Sequence, residues 1–393
     1  MSRPLLIIFL TIFVNLVGFG IIIPLLPFYA ETFGASPLVV GSLFAVFSLC
    51  QLAAAPILGD LSDRYGRRPV LVFSLAGTVV SFVMLALAHN IVMLFAARIV
   101  DGLSGGNIST ARAYVADITE PKDRARAYGL IGAAFGLGFI LGPALSGVLS
   151  HVSYTAPIWA AATITLVATA MAWLWLPETV HRAQAGVGNP FRYLPRLVQR
   201  PLVRRVLVID FMYWCAFAVF QTTFGLFVAR RFGFDASRTG YFLAGFGLLG
   251  ATIQGGLIRP IVSRLGDKPT FILGLSCAAV GLVAAALAQS VIVFAIALVP
   301  LAFGIGFGHP TMASLVSQVA RGDEQGRVQG AASAVESLGR TVGPIWGSGS
   351  LQHLGESAPY ISAAAILLLT LLMSVGFRVG DHTSSLGQSA SAR

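Results

Sequence analysis

Apolar runs of about twenty residues recur along almost the whole chain, each closed off by a short polar or turn-forming connector. A helix needs roughly 20 mostly apolar residues to cross a hydrocarbon core of about 30 Å, so a chain written this way has the bilayer as its solvent. Dividing the runs at turn and charge signals predicts twelve spans, at about 5–28, 38–58, 70–88, 91–115, 127–150, 156–176, 206–229, 239–258, 270–288, 291–317, 328–351 and 359–377. The first run follows only Met1 to Pro4, is too long for the core of a signal peptide and has no cleavage pattern behind it, so it is expected to remain as span one. Charged residues are 11% of the 393, where a soluble chain carries near a quarter, and hydrophobic residues are 56%.

The net charge of +10 invites a nucleic-acid reading until the basic residues are sorted by connector. Twenty of the 26 lysines and arginines fall on the side of the amino terminus. Arg230, Arg231 and Arg238 fall on the other side, and Arg98, Arg112 and Arg340 lie within spans. Basic residues accumulate in cytoplasmic loops because they resist translocation. The count therefore puts both termini in the cytoplasm of a cell-membrane protein, names the lipid bilayer as its surroundings and removes nucleic acid as a partner. Cys50, Cys215 and Cys277 lie inside spans without metal-ligand spacing, read as packing residues, and leave no metal site expected.

The chain repeats itself. Arg64, Gly66 and Pro69 recur as Arg264, Gly266 and Pro269, and "GFILGPALSG" from Gly138 recurs as "GRTVGPIWG" from Gly339, 201 residues on. The expected fold is an all-α membrane protein of twelve transmembrane helices in two pseudo-symmetric six-helix bundles, residues 1–176 and 206–377. A cytoplasmic linker over 177–205 joins them, and a disordered tail follows over 378–393.

Ionisable groups inside a span cost about 2.5–3.5 kcal/mol on insertion scales and face the bundle interior. In span four, Arg98, Asp101, Gly105, Ser109 and Arg112 share one face at helical spacing. Span eleven lines up Gln329, Ser333, Glu336, Arg340, Gly343 and Gly347, with Glu336 and Arg340 an i,i+4 pair. Span seven lines up Asp210, Trp214, Phe217 and Gln221, and Asn15 lies mid-span in span one. Together these sketch a central cavity with aromatic walls and a few convergent polar groups, a small-molecule site. Asp101 and Glu336 are the best-placed proton carriers, and the arginine one turn from each offers the alternative of a permanent ion pair that orients two helices. Asp210 falls about one turn inside the interface, where it could serve function or reach headgroups. His309, in "GIGFGHP", reads as a packed histidine, and that glycine-rich stretch as helix packing.

Four motifs in order on spans one, two, four and five carry a resemblance: "GFGIIIPLLP" from Gly18, "GDLSDRYGRRP" from Gly59, "LFAARIVDGLSGG" from Leu94 and "GLGFILGPALSG" from Gly136. In these the chain resembles the major facilitator superfamily, in its twelve-helix drug:proton antiporter group, and most nearly in pattern the tetracycline efflux pumps. The resemblance implies the major facilitator fold, a monomer, and a proton-driven exporter of small lipophilic drugs or metabolites working by alternating access without a cofactor. It also implies a cytoplasmic gate of Gly59, Asp63, Arg64, Gly66, Arg67, Arg68 and Asp117. In that gate Asp63 sits at the amino end of span eleven and Arg67 pairs with Asp117, contacts made outward-facing and broken inward-facing. The alternative is that Arg64, Arg67 and Arg68 only enforce topology. In the second copy Arg259 and Pro260 replace Gly59 and Asp60, which puts a second latch in doubt. On span five, Gly138, Gly142, Pro143 and Gly147 imply a hinge that marks antiporters, beside the plainer reading of small residues for close packing. Where the tetracycline pumps carry intramembrane acids this chain has Asn15, Ser81 and Ala278, and Gly250 stands for a histidine, so tetracycline itself is not the expected substrate. A uniporter or symporter of a polar metabolite and a non-transporting receptor remain alternatives. With no P-loop, metal-spaced cluster or nucleophile elbow, the chain does not read as an enzyme.

Overall fold

The computed structural model describes residues 3–105, 107–120, 124–179, 195, 197–320 and 324–376. Its helices are α1 Arg3–Glu31, α2 Pro37–Tyr65, α3 Arg67–Ala86, α4 Ile91–Ser104, α5 Asn107–Ile118, α6 Arg124–Leu149 and α7 Ala156–Trp175. In the second half come α8 Pro201–Phe232, α9 Ala236–Thr252, a π turn Ile253–Leu257 leading into α10 Ile258–Leu265, then α11 Asp267–Leu287, α12 Val291–Gln318, α13 Gln325–His353 and α14 Ala358–Val375. Among the described residues these cover every expected span. Nine helical stretches there are long and apolar enough to cross a membrane, and large apolar side chains such as Phe73, Trp173, Ile296 and Leu372 face outward. An outer surface of that kind is solvated by lipid, and the chain is a membrane protein. The linker from 180 to 194, the tail beyond 376, and the side chains of Ser109 and Arg112 lie outside the described residues.

Local chemistry starts and stops the helices at matching places in the two halves. Asn90 caps α4 by accepting the Met93 N–H at 2.9 Å, and Ser290, exactly 200 residues later, caps α12 by accepting from Val293 at 3.3 Å. Gly66 (φ 107°, ψ 152°) turns α2 into α3, and Gly266 (φ 84°, ψ 168°) turns α10 into α11. That backbone region is essentially closed to residues with a Cβ, so the two glycines noticed in the sequence do the same work.

Two expected continuous spans are interrupted. Span four breaks at Gly105 into α4 and α5, and the side-chain amide of Gln51 on α2 donates to the Gly105 carbonyl at 2.9 Å, partnering a group freed at the break. Span eight contains the π turn, whereas its counterpart α2 stays regular through 53–57.

Helices α2 and α13, and α6 and α9, bring the halves together. On α6, Gly138 and Gly142 press on Leu16 and Gly20 of α1, while Pro143 and Gly147 press across the divide on Gly240 of α9. Likewise Gly343 presses on Cys215 of α8, while Pro344 and Ser348 of α13 press on Gly41 of α2. The span-five motif therefore packs both within its own half and against the other. Following α6 and α9 toward the end that carries the Gly59–Pro69 connector, the contact fades. A Cβ on Gly247 would lie 2.6 Å from the Phe139 carbonyl and one on Gly136 3.9 Å from Ala251, while Gly132 and Gly255 meet nothing within 4 Å. The halves touch at one end and part at the arginine-rich end.

Candidate functional site

The charged connector is tied into its own half. Glu178, just past α7, accepts the backbone N–H of Arg67 at 2.9 Å and of Arg68 at 3.1 Å, an anion at the amino terminus of α3 where the helix dipole favours it. A Cβ on Gly66 would collide with that carboxylate. Arg67 reaches Asp117 at 3.2 Å as expected, and also pairs with Asp63. Arg68 donates to the Trp173 carbonyl, Arg64 pairs with Asp60 at 3.0 Å, and Thr179 donates to Asp117 at 3.3 Å.

Two expectations are corrected here. Asp63 does not lie against the amino end of α13, because with the halves parted its ionic partner among the described residues is Arg67, one turn away. The Arg67–Asp117 pair persists in this parted state rather than breaking, because both residues belong to the same half. Glu178 was not singled out from the sequence, since 111 residues separate it from the amides it caps. Gly59 meets nothing within 4 Å and faces the open end.

Each half buries charges of its own. On α4, Arg98 is 1% exposed, donates to Asp101 at 2.7 Å and holds its guanidinium 4.2 Å from the Phe47 ring centre. The pair is made within α4 through Nη1 alone, and Arg98 Nε and Nη2 are buried without a partner among the described residues. Gly105 continues the buried stripe as far as the helix break. Phe19 lies within ring-contact distance of both Phe47 and Phe139, and the three supply aromatic surface in this half, with Asn15 half-buried on the same helix as Phe19.

The second half is built differently. Asp210 is 1% exposed, and neither carboxylate oxygen closes a hydrogen bond among the described residues; Glu336 and Arg340 of α13 are in electrostatic range. α8 starts at Pro201, so Asp210 stands nine residues along the helix, about 13.5 Å from its first residue. Arg340 holds its guanidinium 5.4 Å from the Trp214 ring centre and donates to Ser337 at 3.3 Å, leaving Nε buried without a partner. Trp214, Phe217 and Gln221 are half-buried along α8, whereas Gln329 is exposed nearer the start of α13.

His309 is packed as expected, and its packing partners are the aromatic residues of α8. Its ring stacks on Trp214 at 4.8 Å and 13°, meets Phe217 edge-on at 4.9 Å, and its Nδ1 lies 2.9 Å from the Tyr213 hydroxyl. Only the wall's partner on α8 could be read from helical spacing; which face of α12 meets it could not.

The sequence matches the Major Facilitator Superfamily over residues 8–344 and again over 255–393. It is 33% identical to the class G tetracycline resistance protein of Vibrio anguillarum, over 88% of this chain and 89% of that one. It is 29% identical to multidrug resistance protein 1 of Bacillus subtilis, over 94% and 95%. Among solved structures, that of the nucleoside transporter NupG superposes with a TM-score of 0.81 at 11% identity, covering 95% of this chain and 99% of that one, a likeness of fold.

Proposed function

The chain belongs to the Major Facilitator Superfamily, and from that premise we propose that it is a secondary active transporter that exports small lipophilic drugs or metabolites in exchange for protons, by alternating access. The observation that carries the reading is the pair α6 and α9, packed at Gly147 and Gly240 and separated at Gly132 and Gly255, with buried charges within each half. Two bodies that meet at one end and part at the other can rock about a central site. With the arginine-rich connectors in the cytoplasm, both termini are cytoplasmic and the present state opens inward.

In this reading residues 1–176 and 206–377 are the moving bodies, and the chain works as a monomer without a cofactor. Asp210, with Glu336 and Arg340 beside it, is the proton-exchange centre, because a buried carboxylate without a hydrogen bond is stabilised by taking up a proton or a cation. The closed Arg98–Asp101 pair is then structural. The names of the tetracycline and multidrug resistance relatives support a drug-like cargo.

The test is purified protein in liposomes with an imposed pH gradient. Proton movement that requires a counter-moving drug is expected. Joining Gly132→Cys to Gly255→Cys, in a background without the native cysteines, is expected to stop that exchange. Undiminished flux through the joined protein would overturn rocking about the centre.

A further inference from the structure

The stretch Gly308, His309, Pro310 on α12 does more than pack. The Tyr213 hydroxyl occupies the space that a side chain at position 308 would fill, and from there it reaches His309 Nδ1 at 2.9 Å. Tyr213 is buried and its hydroxyl has no other partner among the described residues. If Nδ1 carried the proton and donated to the tyrosine, the phenol's own hydrogen would be stranded in the interior, which costs about 1–3 kcal/mol. The arrangement that satisfies both groups has the phenol donating to a bare Nδ1. The hydrogen of the neutral imidazole then sits on Nε2.

Nε2 has no hydrogen-bond partner among the described residues and is not sealed off, for His309 is half-buried and its Nε2 is not among the buried unpartnered atoms. The ring cannot turn away from this pose easily. Trp214 covers one face, while Phe217 and Tyr213 stand edge-on at 4.9 and 5.4 Å. Arg340 lies in electrostatic range of the imidazole, which puts the ring close to the buried charges of this half.

We propose that His309 is a specificity-determining residue of this cavity, donating its Nε2–H to a carbonyl or phenolic oxygen of an aromatic substrate, with Tyr213 as the positioning residue that fixes the tautomer. The inference rests on the transport reading above and narrows its substrate class. A donor set among aromatic rings selects an acceptor oxygen carried on an apolar or aromatic frame. A site built to hydrogen-bond a ligand discriminates strongly against an analogue that cannot accept.

Two probes separate the possibilities: a hydroxyanthraquinone, a fused-ring compound rich in such oxygens, and tetraphenylphosphonium, an aromatic cation with none. His309→Phe keeps a ring and loses the donor, and His309→Gln keeps an N–H. In proton-driven exchange, His309→Phe is expected to raise the KM for the hydroxyanthraquinone about tenfold with little change in maximal rate, as fits one hydrogen bond. The KM for tetraphenylphosphonium is expected to stay the same, and His309→Gln to restore most of the loss. Equal shifts for both probes, or none for the hydroxyanthraquinone, would overturn the proposal while leaving transport intact. A wild-type protein that moves other lipophilic compounds but not the hydroxyanthraquinone would also overturn the proposal, whereas one that exchanges protons for no lipophilic compound would sink the transport reading. Nitrogen-15 NMR of labelled histidine is expected to find the Nε2–H form at His309 and its loss in Tyr213→Phe; an Nδ1–H form would also overturn the proposal.

Discussion

The two halves share a scaffold and differ at their centres. The Gly66 and Gly266 turns and the Asn90 and Ser290 caps repeat at a spacing of 200. The first half then closes its buried charges into one short pair, Arg98 with Asp101, under an aromatic ring. The second leaves both carboxylate oxygens of Asp210 without a hydrogen bond among the described residues; the contrast lies in the carboxylates, since Arg98 Nε and Nη2 and Arg340 Nε are all buried there without a partner. A duplicated backbone can keep its turns while its interior carboxylates differ, one closed on an arginine of its own helix and the other left without a hydrogen bond among the described residues.

Breaking that contrast at its strongest point means removing Asp101. Asp101→Asn would leave Arg98 buried without its counter-charge, a change worth about 3–5 kcal/mol. A large drop in thermal stability and yield in detergent is therefore expected. Unchanged stability with lost exchange would mean that the halves have their roles reversed. Asp210→Asn is expected to do the opposite, reducing proton-coupled exchange in liposomes to background while thermal stability changes little, since Glu336 still stands beside Arg340 when Asp210 is neutralised.

The shared turns sharpen the comparison at smaller scale. Gly266→Ala meets only Pro269 at 3.9 Å, so its cost is the backbone conformation alone, about 1–3 kcal/mol. Gly66→Ala carries that cost and also displaces Glu178 from the amides of α3, so its melting temperature should fall further. Smallest is Asp63→Asn, which should slow exchange several-fold with near-normal expression. Its pairing with Arg67 in the parted state leaves it free to serve the closing of the other end. Intact exchange would reduce the connector to a topology signal.

Much of the fold was legible because a bilayer leaves a chain few choices. Run length sets the spans, charge sorting sets their sidedness, and residues such as Arg98, Asp101 and Asp210 stand out where charge is expensive. The repeat placed Gly66 and Gly266 on equivalent turns before either dihedral was known. The site was legible only in part. Helical spacing could align Asp210 with Trp214 along α8, but could not show that Arg340 of α13 comes beside them. The break at Gly105 was likewise hidden in a run apolar enough to continue.

By itself the sequence determined an all-helical membrane chain, its internal repeat and the short list of polar groups that have to face inward, since hydrophobic burial and charge cost act on each segment alone. Only the tertiary structure decided which of those groups meet. Glu178 and the α3 amides, Tyr213 and His309, and Asp210 with Arg340 are brought together by helices distant in sequence, and no local pattern encodes the rotation and depth at which two helices pack.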